Sequence, residues 1–132
     1  LLASLRGVSS SALADVSKTR EDRRKEAGDP AADELYEAVH PVVRTHPETG
    51  RKALYVNGNS TTQIVGMSER ESEAILRLLI DHVRDPVFQC RFQWDLNSVA
   101  FWDNRSVQHY AVPDYTERRI MNRVTLVGDR PR

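Results

Sequence analysis

Apolar residues recur along this chain with two periods, and the helical spacing gives way to a spacing of two near residue 88. Leu1, Leu2, Leu5 and Val8 lie at helical spacing, and the pattern fades into serines at 9–11, which predicts the end of a helix. Residues 18–30 are almost all charged or small, mix both signs and include Gly28 and Pro30. Such a stretch cannot bury enough apolar area to fix one conformation. It predicts a mobile loop over residues 17–31, with closure over a site as the functional alternative. Residues 31–39 have helix-forming composition and stop before Pro41, which predicts a second helix.

Residues 42–45 and 53–56 are short β-prone runs on either side of Pro47-Glu48-Thr49-Gly50, the composition of a hairpin. Ser68 with Glu71 three residues on is a capping box, and Ile75, Leu78, Leu79 and Val83 then keep one apolar face until Pro86. The spacing predicts a helix over 69–84. Beyond it, Phe88, Cys90, Phe92 and Trp94 alternate with Gln89, Arg91 and Gln93, which predicts a half-buried strand. A turn is expected at Asp95-Leu96-Asn97-Ser98, a strand over 99–102, and a last strand over 119–127.

Composition narrows the class. A 132-residue chain can bury roughly 65 to 70% of its unfolded surface, enough for one core. Lys plus Arg and Asp plus Glu are 19 each, so no net field draws the chain to nucleic acid or to an anionic membrane. The apolar runs are too short to span a bilayer. Cys90, the sole cysteine, excludes an internal disulfide and a thiolate zinc site, and a reducing, cytoplasmic setting is expected.

Chemistry concentrates near the carboxy terminus. Period-two alternation puts Arg119, Met121, Arg123 and Thr125 on one face of the last strand, and Ile120, Asn122, Val124 and Leu126 on the other. Two readings stand. The arginines face solvent on an edge strand, or the aliphatic set packs inward against a helix and the guanidiniums enter a barrel interior, where they need anionic partners. A planar guanidinium suits a carboxylate or sulfonate through parallel hydrogen bonds.

The whole run WDNRSVQHYAVPDYTERRIMNRVTL, residues 102–126, closely resembles the carboxy-terminal signature of taurine dioxygenases and their relatives. The resemblance extends to HPVVRTHPETGRKALYVN, residues 40–57, and to residues 68–102, about three-quarters of the chain. It implies a mixed α/β, mainly β fold: residues 1–132 would be the carboxy-terminal part of a single dioxygenase domain, part of a double-stranded β-helix (jelly roll) with flanking helices. It also implies Fe(2+) as cofactor and 2-oxoglutarate as cosubstrate. Carried over by position, His109 would be the distal histidine ligand of iron, Arg119 would grip the far carboxylate of 2-oxoglutarate, and Arg123 would meet the substrate's sulfonate. Residues 102–105 would form the strand end and turn that position His109. The stretch from Asp114 to Arg119 is one residue shorter than the family's pattern, which bears on Arg119.

The activity so implied is hydroxylation of an organosulfonate such as taurine, with release of sulfite, succinate and CO2. An alkylsulfatase or aryloxyalkanoate dioxygenase of the same family is the alternative, and a non-catalytic truncated domain is the reading outside the enzyme class. The partners implied are a small anionic substrate and molecular oxygen, with a homo-oligomer for the full-length form. Non-heme iron oxygenases hold the metal with two histidines and a carboxylate on one face. The only His-x-Asp/Glu triplet is His46-Pro47-Glu48, which falls in the hairpin, where proline and a tight turn restrict convergence of the two side chains. His40 and His82 have no carboxylate at that spacing, and His82 reads as a core-edge histidine. The family's His-x-Asp half is therefore expected to be missing, and with it the stability and turnover of the isolated chain.

Overall fold

In a computed structural model, residues 1–13, 28, 35–118 and 120–132 are described. Arg6–Ser10 forms β1, Glu37–Pro41 β2, Val43–Thr45 β3, Lys52–Leu54 β4 and Thr61–Ile64 β5, and Glu69–Val83 forms the helix α1. Two antiparallel sheets result, one in the order β2-β1-β5 and the other a β3-β4 hairpin.

The hairpin and the helix stand where the sequence puts them. Val43 pairs with Leu54 and Thr45 with Lys52, and the turn between them ends on Gly50 at φ 68°, a left-handed conformation that glycine adopts without a Cβ clash. At the start of α1 both arms of the capping box form: the Glu71 N–H donates to Ser68 Oγ at 3.4 Å, and the Ser68 N–H donates to Glu71 Oε2 at 2.9 Å. The buried stripe of α1 is Ser72, Leu76 and Leu79, whereas Leu78, expected on that face, is 69% exposed. Ser72 stitches the helix to β5, its Oγ accepting the Ile64 N–H at 3.1 Å and donating to the Ile64 carbonyl at 3.4 Å. Val42, Val56, Ile64, Leu76 and Leu79 form the core, with Leu2, Leu5, Ile75 and Ile80 packed against it.

Elsewhere the expectations are corrected. The apolar spacing at the amino terminus does not make a helix; Leu2–Ser4 is one 3-10 turn and residues 6–10 are β1, the central strand of its sheet. Gly7 explains part of this, because a Cβ there would come within 3.1 Å of Thr61 Cγ2, so the glycine allows β1 and β5 to close. The expected helix over 31–39 gives way to β2 from Glu37, its residues 31–34 lying outside the described residues. So does the expected mobile loop at 17–31, except for the exposed turn residue Gly28. Pro86–Phe88 is a 3-10 turn. Among the described residues after it there is no strand, so the strands expected at 88–94, 99–102 and 119–127 are not formed. Alternation tells which side of an extended segment is apolar, but a strand also needs a neighbouring backbone to take its N–H and C=O groups. The turn at 95–98 does form, closed by the Ser98 N–H on the Asp95 carbonyl at 3.0 Å, with Asn97 at φ 68°. No described helix is long and apolar enough to cross a membrane.

Candidate functional site

The β3-β4 hairpin carries a buried polar centre. His46, 9% exposed, directly follows β3 and turns its ring back over the hairpin loop. Its Nδ1 accepts the N–H groups of Glu48 at 3.3 Å and Thr49 at 3.2 Å, so that nitrogen carries no proton. The Nε2–H then donates to Asp103 Oδ2 at 2.9 Å. Asp103 also receives Arg105 Nε at 2.8 Å and Nη2 at 2.6 Å, and the Arg105 backbone N–H at 2.9 Å. Arg105 Nη1 goes on to Glu48 Oε1 at 2.8 Å, which closes a ring of four side chains between the hairpin and the 103–106 turn. The Arg105 hydrogen bonds, then the His46 bond, hold the Asp103 carboxyl well below the usual carboxylate range. Bonds to Asp103 and Glu48 in turn raise the Arg105 guanidinium.

Beside this ring, Arg44 is buried at 3% exposure, lies over the Tyr55 ring at 5.3 Å and pairs with Asp129 at 2.7 Å. The Thr45 N–H donates to the Arg132 carbonyl at 3.2 Å, so the last residues are drawn onto β3.

His109 follows Gln108, whose Nε2 donates to the Val56 carbonyl at 2.6 Å. The His109 ring meets Trp102 at 4.6 Å between centroids, tilted by 52°. Partial desolvation, then the positive charge of Arg123, lowers its imidazole below 6.5, which favours the neutral ring that a metal requires. His109 and Arg123 are thus within electrostatic reach of each other, both at the surface, and Arg119 lies outside the described residues. Ile120, Val124 and Leu126 are exposed rather than packed against a helix, so packing does not turn Arg123 inward. Of the strand end and turn expected over residues 102–105, the strand is not formed and a turn lies at residues 104–106.

A facial metal site needs three donors, and no group of three His, Cys, Asp or Glu side chains converges among the described residues. His46 is spent at both nitrogens on protein partners, which removes His46-Pro47-Glu48 as a ligand pair. His82 faces Phe88 at 4.8 Å, at the edge of α1. Among the described residues, His109 therefore has no two further His, Cys, Asp or Glu side chains converging with it. The ring of Asp103, Arg105, Glu48 and His46 was not legible from spacing, because it joins residues 57 positions apart.

Residues 7–125 match the family described as taurine catabolism dioxygenase TauD, TfdA family, and the chain belongs to that family, which uses iron(II) and 2-oxoglutarate. It is 44% identical over 95 residues to an alkylsulfatase of Acinetobacter baylyi, across 71% of this chain and 30% of the relative. It is 45% identical over 98 residues to an alpha-ketoglutarate-dependent sulfate ester dioxygenase of Pseudomonas putida, across 74% of this chain and 32% of the relative. The crystal structure of a candidate alpha-ketoglutarate-dependent taurine dioxygenase from Burkholderia xenovorans superposes with a TM-score of 0.61 at 40% identity, over 79% of this chain and 31% of the other. The chain thus spans about a third of the length of these relatives.

Proposed function

We propose that the protein to which these 132 residues belong is an iron(II)- and 2-oxoglutarate-dependent dioxygenase that hydroxylates the carbon next to an oxidised sulfur group. The observation that carries this reading is the family match over residues 7–125, a range that includes His109, Arg119 and Arg123. In this reading His109 binds the metal, Arg119 the far carboxylate of 2-oxoglutarate and Arg123 the substrate's anionic group. The remaining His-x-Asp ligands come from residues outside this sequence, and the domain is a jelly roll to which these residues contribute the carboxy-terminal part. Oxidative decarboxylation of 2-oxoglutarate places one oxygen atom of O2 in succinate, and the other enters a substrate C–H bond. With an organosulfonate such as taurine, the hydroxylated product collapses to an aldehyde and sulfite. The enzyme works in the reducing cytoplasm, where a single exposed Cys90 stays a thiol, and as a homo-oligomer.

A second reading has an observation of its own: the relatives at 44% and 45% identity are an alkylsulfatase and a sulfate ester dioxygenase. For a sulfate ester the same hydroxylation at the ester carbon releases sulfate in place of sulfite. Incubating the full-length protein with iron(II), 2-oxoglutarate and a panel of taurine, alkanesulfonates, alkyl sulfates and aryloxyalkanoates separates the readings. Sulfite release supports the sulfonate reading and sulfate release the ester reading; turnover of the aryloxyalkanoates alone rejects both.

A further inference from the structure

After Pro86–Phe88 the described backbone forms no strand, so side chains fix where residues 102–109 lie on the sheets. Three contacts do so: His46 to Asp103 at 2.9 Å, Glu48 to Arg105 at 2.8 Å and Gln108 to the Val56 carbonyl at 2.6 Å. All three end on the β3-β4 hairpin or just after it. Of the hairpin's partners in these contacts, His46 is the buried side chain, and its ring is fixed at both nitrogens.

From His46 we infer a positioning role: acting through Asp103, it sets the placement of His109. The chain of contacts is continuous. Two backbone N–H groups leave the His46 proton on Nε2, where it can only be given to Asp103. The Asp103 carboxylate gathers the backbone N–H and guanidinium of Arg105, while its main-chain carbonyl accepts the N–H groups of Ser106 at 3.1 Å and Val107 at 3.0 Å. These bonds shape the turn that leads to Gln108, and Gln108 ties the exit to Val56. His109 comes next and lies on Trp102, the residue just before Asp103. On one side of the Asp103 anchor Trp102 thus packs on the His109 ring, and on the other the turn leads through Gln108 to His109. Arg105 and Glu48 form the outer part of the hydrogen-bonded group that holds Asp103, with Glu48 71% exposed. The consequence for catalysis rests on the dioxygenase reading above; the placement itself does not.

Two substitutions at one position separate this role from simple support of the hairpin turn. His46→Asn keeps an acceptor near Nδ1 for the Glu48 and Thr49 N–H groups but cannot reach Asp103. His46→Gln keeps a donor near Nε2 for Asp103 but loses the turn acceptor. In the full-length protein, His46→Asn is expected to displace His109 from Trp102 in a crystal structure. Succinate formation should fall about 10- to 100-fold in kcat, with KM for 2-oxoglutarate little changed, and His46→Gln should recover most of the loss. Asp103→Asn, which keeps the side-chain shape, should displace His109 in the same way and serves if His46→Asn fails to fold. The inference is overturned if His109 stays on Trp102 in His46→Asn or Asp103→Asn, or if His46→Gln is impaired as severely as His46→Asn. A wild-type protein without turnover would remove the dioxygenase reading, and the ring placement in the variant crystal structures would still decide the positioning role.

Discussion

Burial, then the charges of Arg130, Arg44 and Arg6, lowers the His40 imidazole, and burial with Arg123 does the same at His109. For both rings the unfolded chain, titrating at 6.5, binds the proton more readily than the folded one. Their neutral forms thus support the fold above pH 6.5, and that support is lost as pH falls below it. Asp103, with its carboxyl held below 3.8, contributes above that value and loses its contribution as pH falls further. In the full-length protein, urea midpoints followed downward in pH should drop in two stages, and the first drop should shrink in a His40→Gln, His109→Gln variant. A midpoint that rises as pH falls through 6.5 contradicts the assignment. In the full-length enzyme, Arg119→Ala should chiefly raise the 2-oxoglutarate requirement and Arg123→Ala the substrate requirement; unchanged KM values in both contradict their roles. At this scale the sequence was informative about residue identity. It was blind to partnership: His46 stood out as a weak ligand candidate, and only the folded hairpin shows both of its nitrogens taken.

The most legible element is α1, where a capping box and an apolar stripe of period 3.6 are both local features. The hairpin was legible for the same reason, since Pro47 and Gly50 carry its turn. β1 was misread because Leu1, Leu2, Leu5 and Val8 meet the helical spacing by coincidence, while Val8, the one of the four that lies in β1, pairs with the distant Val39 and Gln63. β5 was missed because Thr61 and Ile64 are buried while Thr62 and Gln63 are exposed, so it shows no alternation. The strands expected after residue 88 failed for the opposite reason: their alternation is clear, but no neighbouring backbone pairs with them among the described residues. Two substitutions test the account of α1. In the full-length protein, Ser68→Ala removes the cap and should cost about 1 kcal/mol in denaturant unfolding. Ser72→Ala leaves the Ile64 N–H without its buried acceptor and should cost about 1–3 kcal/mol. A loss at Ser72 smaller than at Ser68 would show that the link from α1 to β5 contributes little.

Across the molecule, the core holds few fully buried apolar residues, while Phe101, Val99 and Val124 are each about 90% exposed. Apolar surface on that scale, on extended segments without paired edges, invites association. The isolated 132-residue chain should therefore sediment as oligomers or aggregates and melt without a sharp transition. A monomer with a cooperative melt by circular dichroism contradicts this. The functional claim belongs to this scale as well, because no three potential metal donors converge among the described residues. The measurement that bears on it most directly is succinate formation by the full-length protein with iron(II), oxygen and 2-oxoglutarate, compared between wild type and His109→Ala. Succinate from the wild type, coupled to a sulfur-containing substrate and abolished in His109→Ala, is the predicted result; no succinate from the wild type, or equal amounts from both proteins, would contradict it.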